Sequence, residues 1–241
     1  MGSPGVHILE TKQKNDGNSD GVNRLYERLY NDSEVREYIE LADVAMAAIG
    51  YTEHGMRHVS VVAENAARVL TELGHPEEEI ELARVAGLLH DIGNIVAREG
   101  HEQCGALLAY PLLRRLGFSP RETGIVLGAI GNHEEERYPS LSAVGAALTI
   151  ADKADVHRSR VRDYHPEIED IHDDVNYACV ESKLIIEGAR SVITLDLTID
   201  AEIATVMEYF QIFTSRMMMA RDAANYLGCE FHLVINGTEL A

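Results

Sequence analysis

At 241 residues and 46% apolar content, the chain is long enough for one large domain, or a medium domain with a small appendage, around a substantial core. No apolar run approaches the about 18 residues of a membrane-spanning helix, and the N-terminus lacks the basic-then-apolar order of a secretory signal, so a soluble cytoplasmic protein without membrane contact is expected. A formal net charge of -19 speaks against an electrostatic footprint on duplex nucleic acid, while leaving room for a small anionic substrate if cations gather locally.

Residues 1–20, MGSPGVHILETKQKNDGNSD, are polar and without sustained periodicity, which predicts a flexible leader. From Val22 to about Thr71 apolar residues recur at helical spacing: Val22, Leu25 and Leu29, then Val35, Ile39, Leu41 and Val44, then Val59, Val62, Ala66 and Val69. Asn31-Asp32-Ser33 supplies a break with an N-cap, so two or three helices are expected. Gly74-His75-Pro76 ends that run, and Pro76 followed by Glu77, Glu78 and Glu79 suits the first turn of another helix, where acidic groups face the positive end of the dipole. That helix carries Ile80, Leu82, Val85, Leu88 and Leu89 up to His90-Asp91, with Gly93 as its expected stop. Helices over about 102–116, 120–130 and 140–161 complete a helical block assigned to residues 21–165.

The character changes after Val161. RDYHPEIEDIHDD is charged, contains a proline and reads as a connection. KLIIEG and SVITLDLTID are rich in β-branched residues, AEIATVMEYFQIFTSRMMMARDAANYLG is a long amphipathic helix closed by Gly228, and CEFHLVINGT is again a strand. The expectation is a mainly α fold with a small C-terminal α+β (β-β-α-β) appendage over residues 182–241. Three strands and one helix leave edges and a face to cover, either on the helical block or against a second copy in a homodimer. Met217-Met218-Met219 reads as pliable core or interface filling, and the widely separated Cys104, Cys179 and Cys229 as reduced packing residues.

Within this frame, GLLHDIGNI sets His90 and Asp91 directly after an apolar run. Imidazole and carboxylate are common ligands for Zn, Mn and Fe, and neighbours at a helix end can reach one ion because the chain is turning. Alone the dipeptide is weak, since such pairs arise by chance and a histidine at a helix end is usually just hydrogen-bonded. His58, in GMRHVSVVAENAARVL, falls near the buried stripe of its helix. Asp152, in ALTIADKAD, follows an apolar run where an uncompensated buried carboxylate would cost several kcal/mol. A cation would compensate it.

His58, His90-Asp91 and Asp152 together resemble the ordered H…HD…D signature of the HD-domain metal-dependent phosphohydrolase superfamily, over residues 40 to 162. His101, in HEQCGALLA, and His133, in AIGNHEEE, are similar to the extra ligands of its binuclear members, among them the HD-GYP phosphodiesterases and the HD-type dinucleoside-tetraphosphate hydrolases. The resemblance implies an HD-type helical bundle holding two divalent ions (Mn, Fe, Mg or Zn): His58, His90, Asp91 and Asp152 around one, and Asp91, His101 and His133 around the other, with Asp91 bridging. It further implies hydrolysis of a phosphoester or phosphoanhydride, in a nucleotide or dinucleotide, by metal-activated water. The chain departs from the pattern in two places. GNHEEERYPS contains no GYP, so cyclic di-GMP is not a supported substrate, and Asn94 stands where many relatives have lysine, so phosphate must find its cations elsewhere. Lys153 and Arg158, in DKADVHRSRVR, are the expected substrate contacts, with Asp91 and Lys153 at the chemistry; Arg160 and Arg162 are equally suited to solvent or to pairing with the acidic stretch 167–174. Glu134 is conceivable as a proton donor, but its acidic run also fits a solvated loop. The other histidines, His54 included, match nothing in the motif. Two alternatives use the same scaffold: a di-iron oxygenase, and a non-catalytic nucleotide-sensing or dimerisation module.

Overall fold

The computed structural model describes residues 19–134, 140–164 and 171–240, with side chains from Leu25 onward. Most of the expected leader, His165, and part of the acidic stretch 167–174 lie outside the described residues. Among the described residues no helix is long and apolar enough to cross a membrane.

The helical block begins with α1 (Ser19–Tyr30) and α2 (Ser33–Ala48). Asp32 caps α2, its Oδ1 accepting from the backbone N–H groups of Glu34 and Val35 at 3.1 and 3.2 Å. α3 (Met56–Glu72) and α4 (Glu77–Leu89) follow, crossing so closely at Gly87 that a Cβ there would lie 2.6 Å from the Ala63 Cα. α5 (His101–Leu116) ends on Gly117 in the left-handed region, and α6 (Pro120–Gly131) starts from a capping box between Ser119 and Glu122. α7 (Ala143–Ala154) is buried on every side from Val144 to Ala154. A helix that is apolar all round belongs at the centre of its bundle, and α3, α4, α6 and the C-terminal helix surround it. Asp152 and Lys153 therefore lie inside the protein.

Two helix ends differ from expectation. Gly93 does not stop α4, which ends at Leu89 and passes through His90 into a 3-10 turn, Ile92–Ile95. Gly93 is instead the point where that turn touches α5: a Cβ would lie 1.9 Å from the His101 carbonyl oxygen and 2.4 Å from the Gly105 nitrogen. The helix expected to run to 161 ends at Ala154, because Asp155 leaves helical geometry (φ -85°, ψ 79°) and gives its carboxylate to Arg57 and His58. A 3-10 turn, Arg158–Arg160, follows. Part of the stretch read as a connection is helical, as α8 (Ile171–Ala178).

β1 (Cys179–Glu187), β2 (Val192–Ile199), α9 (Val206–Tyr226) and β3 (Glu230–Ile235) supply the expected β-β-α-β order, and a short β4 (Thr238–Glu239) adds a fourth strand. The turn into β4 is Asn236-Gly237, both at positive φ, the conformation a two-residue hairpin needs. The sheet order is β1-β2-β3-β4, antiparallel at both edges and parallel between β2 and β3, which α9 links. Ile193, Leu195, Leu197 and Ile199 form the buried phase of β2. α9 packs on β3 and on α7, so one continuous apolar core joins the sheet to the bundle. The three methionines of α9 separate: Met217 is buried, Met218 exposed, and Met219 lines a cavity described below.

Gly93→Ala is expected to lower stability by about 3 kcal/mol in chemical denaturation, since neither α5 backbone atom can yield cheaply. Gly124→Ala, where nothing lies within 4 Å of the added carbon, is the control and is expected to be neutral or stabilising.

Candidate metal centre

Six side chains from five elements converge. His58 comes from the first turn of α3, His90 and Asp91 from the end of α4, His101 from the first position of α5, His133 from just beyond α6, and Asp152 from α7; none is more than 4% exposed.

Each imidazole is anchored at its Nδ1. His90 bonds the Gly87 carbonyl at 2.9 Å, His101 the Arg98 carbonyl at 3.0 Å, and His133 the Ile130 carbonyl at 2.7 Å. His58 instead meets the Asp155 carboxylate at 2.7 Å. A carbonyl or ionised carboxylate can only accept, so each Nδ1 carries a proton and each Nε2 is the nitrogen turned toward the centre.

The inward atoms lie at the spacing of neighbouring ligands on an ion. With bonds near 2.1 Å and tetrahedral angles, donors should be about 3.4 Å apart. Asp91 Oδ2 is 3.5 Å from His58 Nε2 and 3.2 Å from His90 Nε2, while Asp91 Oδ1 is 3.4 Å from His101 Nε2. Asp152 Oδ1 is 3.4 Å from His58 Nε2 and 3.7 Å from His90 Nε2, and the Nε2 atoms of His101 and His133 are 3.3 Å apart. His58 Nε2 and His90 Nε2 are buried without a hydrogen-bond partner, an expensive arrangement unless a cation fills it. The donors fit divalent ions. They form overlapping groups, His58/His90/Asp152, His90/Asp91/His133 and His101/His133/Glu134, and the two oxygens of Asp91 point toward different histidines.

The electrostatics agree. Burial opposes ionisation of Asp91 and Asp152, yet both are held well below the usual carboxylate range, Asp91 by His90, His101 and His58, and Asp152 by Lys153, His58 and His90. Burial also opposes charge on His90, but Asp91 and Asp152 push it up to about 10. His133 is pushed down to about 3 by burial and by the charges of His90 and Lys153. Two buried carboxylates thus draw positive charge, from protons when nothing else is present. Glu134 is held far below its ordinary range against burial by Lys153, His133 and Arg98, so it stands as a carboxylate.

A cavity of about 460 Å³ opens beside this cluster. Lys153 lines it, buried at 1% exposure with Nζ 2.7 Å from Asp152 and 3.2 Å from Glu134. Arg158 does not line it: where α7 breaks, the side chain turns away and stacks 4.7 Å from the centre of the Tyr177 ring. Arg162 pairs with Asp43, and Arg160 is buried against the carbonyls of Glu53 and Asp155 and the Nε2 of His54. His54 itself precedes α3 and stands edge-on to His58 at 5.4 Å.

Several residues escaped the sequence reading. Asp155 lies three positions after Asp152 in the same DKAD segment, and that spacing was the available signal. Arg98, whose Nη2 is 3.2 Å from Glu134, and Arg216 of α9 also line the cavity, and nothing local marks either one.

The donor geometry coincides with a family match. Residues 55–157, less than half of the chain, match the family model described as HD domain. It is 27% identical over 201 residues to an uncharacterized protein of Methanocaldococcus jannaschii, covering 74% of this chain and 77% of that one. It is 30% identical over 145 residues to ribonuclease Y of Mycoplasma mycoides, covering 59% of this chain and 31% of that enzyme, so it spans less than a third of the latter. Among solved structures, a predicted HD superfamily hydrolase from an uncultured Thermotogales bacterium aligns with a TM-score of 0.42 and 26% identity over 55% of this chain and 74% of that one.

Asp91→Ala, which removes the carboxylate lying within 3.5 Å of His58, His90 and His101, is expected to strip divalent metal from the centre, and His133→Ala to remove only an ion beside His101, as read by elemental analysis after dialysis. Asp155→Asn should weaken metal affinity by about 10- to 100-fold without removing a ligand. Without a cation His90 holds its proton up to about pH 10, and His58 is shifted the same way, so binding must expel protons. Affinity is therefore expected to climb with pH, up to about tenfold per unit for each proton released, in calorimetric titrations between about pH 6 and 8. A pH-independent affinity would contradict this protonation scheme.

Proposed function

We propose that this chain is a metal-dependent phosphohydrolase that cleaves a phosphoester or phosphoanhydride bond in a nucleotide or dinucleotide. The observation that carries this reading is the junction of six convergent donors with a cavity wall bearing Lys153, Arg98 and Arg216. Bound divalent ions supply acidification of a water and neutralisation of phosphoryl charge. The chain's own part is placement. The Nδ1 anchors hold four imidazoles in register, and Lys153, fixed between Asp152 and Glu134, presents an ammonium where a phosphoryl group would enter. In the net reaction water adds to phosphorus, the bond to the leaving oxygen breaks, and that oxygen takes up a proton, for which the ionised Glu134 is not the source. The ribonuclease Y relatives, matched over a part of their length, add support for phosphoester chemistry. The same ligands would serve a di-iron oxygenase, but a cationic wall favours an anionic substrate.

The test is a panel of nucleoside phosphates, dinucleoside polyphosphates and simple phosphodiesters with Mn²⁺, Fe²⁺ or Mg²⁺. Turnover is expected for at least one class, with kcat/KM lowered more than about 100-fold in Asp91→Ala and on the order of 100-fold in metal-replete Lys153→Met. Undiminished turnover in metal-free Asp91→Ala would overturn the reading. Iron-containing, coloured protein that consumes O₂ with an organic substrate would favour the oxygenase.

A further inference from the structure

The cavity beside the metal ligands is built from four separate parts of the chain, one of them α8, which contributes His172, Asp173 and Asn176. The α2–α3 connection supplies Tyr51 and His54, the HD helices and their turns supply Arg98 and Lys153, and α9 supplies Phe213 and Arg216. α9 lies outside the 55–157 match, so the HD segment alone would leave this side of the site uncovered.

The cations of this wall are not equivalent. Lys153 is engaged by Asp152 and Glu134, Arg98 by Glu134, and Arg160 by two backbone carbonyls. Arg216 differs. Its Nε is buried with no hydrogen-bond partner, and the ion pair it makes with Asp152 is a long one, Nη2 to Oδ1 at 3.9 Å. Its guanidinium is propped 5.5 Å from the centre of the buried Phe213 ring, as that of Arg98, also in the lining, is propped 5.5 Å from the centre of the Tyr51 ring. A guanidinium held on a ring beside a metal-ligating carboxylate, with donor capacity unspent, is arranged for a phosphate oxygen. A volume of about 460 Å³ is that of an ordinary small-ligand site, and admits one phosphorylated unit rather than a folded or duplex polymer.

We propose that α9 completes the active site, that Arg216 is a specificity-determining phosphate-binding residue, and that the cavity takes a single phosphorylated unit of nucleotide size. This rests on the phosphohydrolase reading for its chemistry, but it is a statement about binding and can be measured separately. Metal-loaded protein is titrated calorimetrically with AMP and, in parallel, with inorganic phosphate. AMP is expected to bind the wild type, Arg216→Ala to bind both probes at least tenfold more weakly, and Arg216→Lys to recover part of the loss. Metal content and melting temperature should not change in these variants. Arg221→Ala, an exposed site on the same helix paired with Asp222, should bind like the wild type. For any substrate turned over, Arg216→Ala should raise KM more than it lowers kcat.

Wild-type affinity for both probes in Arg216→Ala overturns the assignment, as does a wild type that fails to bind AMP. A long single-stranded oligonucleotide that competes with AMP far more tightly than a dinucleotide does overturns the size limit. Arg216-dependent AMP binding without turnover of any phosphoester upholds the inference and removes the hydrolase reading; turnover indifferent to Arg216 does the reverse.

Discussion

Four imidazoles must point their Nε2 atoms inward at once, and the molecule achieves this by occupying every Nδ1. For His90, His101 and His133, each at the start or end of a helix, the partner is the carbonyl three residues earlier. At His58, on the first turn of α3, the Asp155 carboxylate takes the same part. That need accounts for the end of α7: continuing the helix through Asp155 would carry its carboxylate away from His58 and Arg57. The two carboxylates that face the histidines, Asp91 and Asp152, are then too deep to be hydrated, and their negative charge sets the protonation of everything nearby.

Much of this was legible because the ligands lie in short, locally ordered segments. An apolar run ending in His90-Asp91 fixes both the helix and the direction in which it delivers its last side chains, and the all-apolar surroundings of Asp152 announce burial. What was not legible depends on long-range placement. Arg158 follows Lys153 closely in the chain, yet the break at Asp155 sends it to Tyr177. Gly93 reads as a helix stop because glycine often is one, whereas its purpose is contact with a helix not yet formed at that point in the chain. Arg216 lies in an amphipathic helix far downstream and acquires meaning only once α9 packs beside α7. The β-β-α-β order was visible from β-branched alternation, while the two-residue β4 is too short to show any periodicity.

The charge distribution gives the cavity its character. The chain as a whole is strongly acidic, at -19, yet Lys153, Arg98, Arg160 and Arg216 gather around one opening. Glu134 and Asp173 share this lining, so the cations act on small anions that reach it, while the charge of the whole chain repels extended polyanions at long range. Glu134 belongs to this balance: by pairing with both Arg98 and Lys153 it keeps two cations fixed close to each other that would otherwise repel.

The parallel pairing of β2 with β3 obliges α9 to cross over the sheet, and a crossover helix is clamped at both ends by strands bonded to one another. The clamp lies far along the chain from the histidines and aspartates. Remodelling of the sheet or of α9 would therefore move the guanidinium while changing none of the six donor residues. What the cavity admits can thus change through the C-terminal segment while the donor set stays as it is.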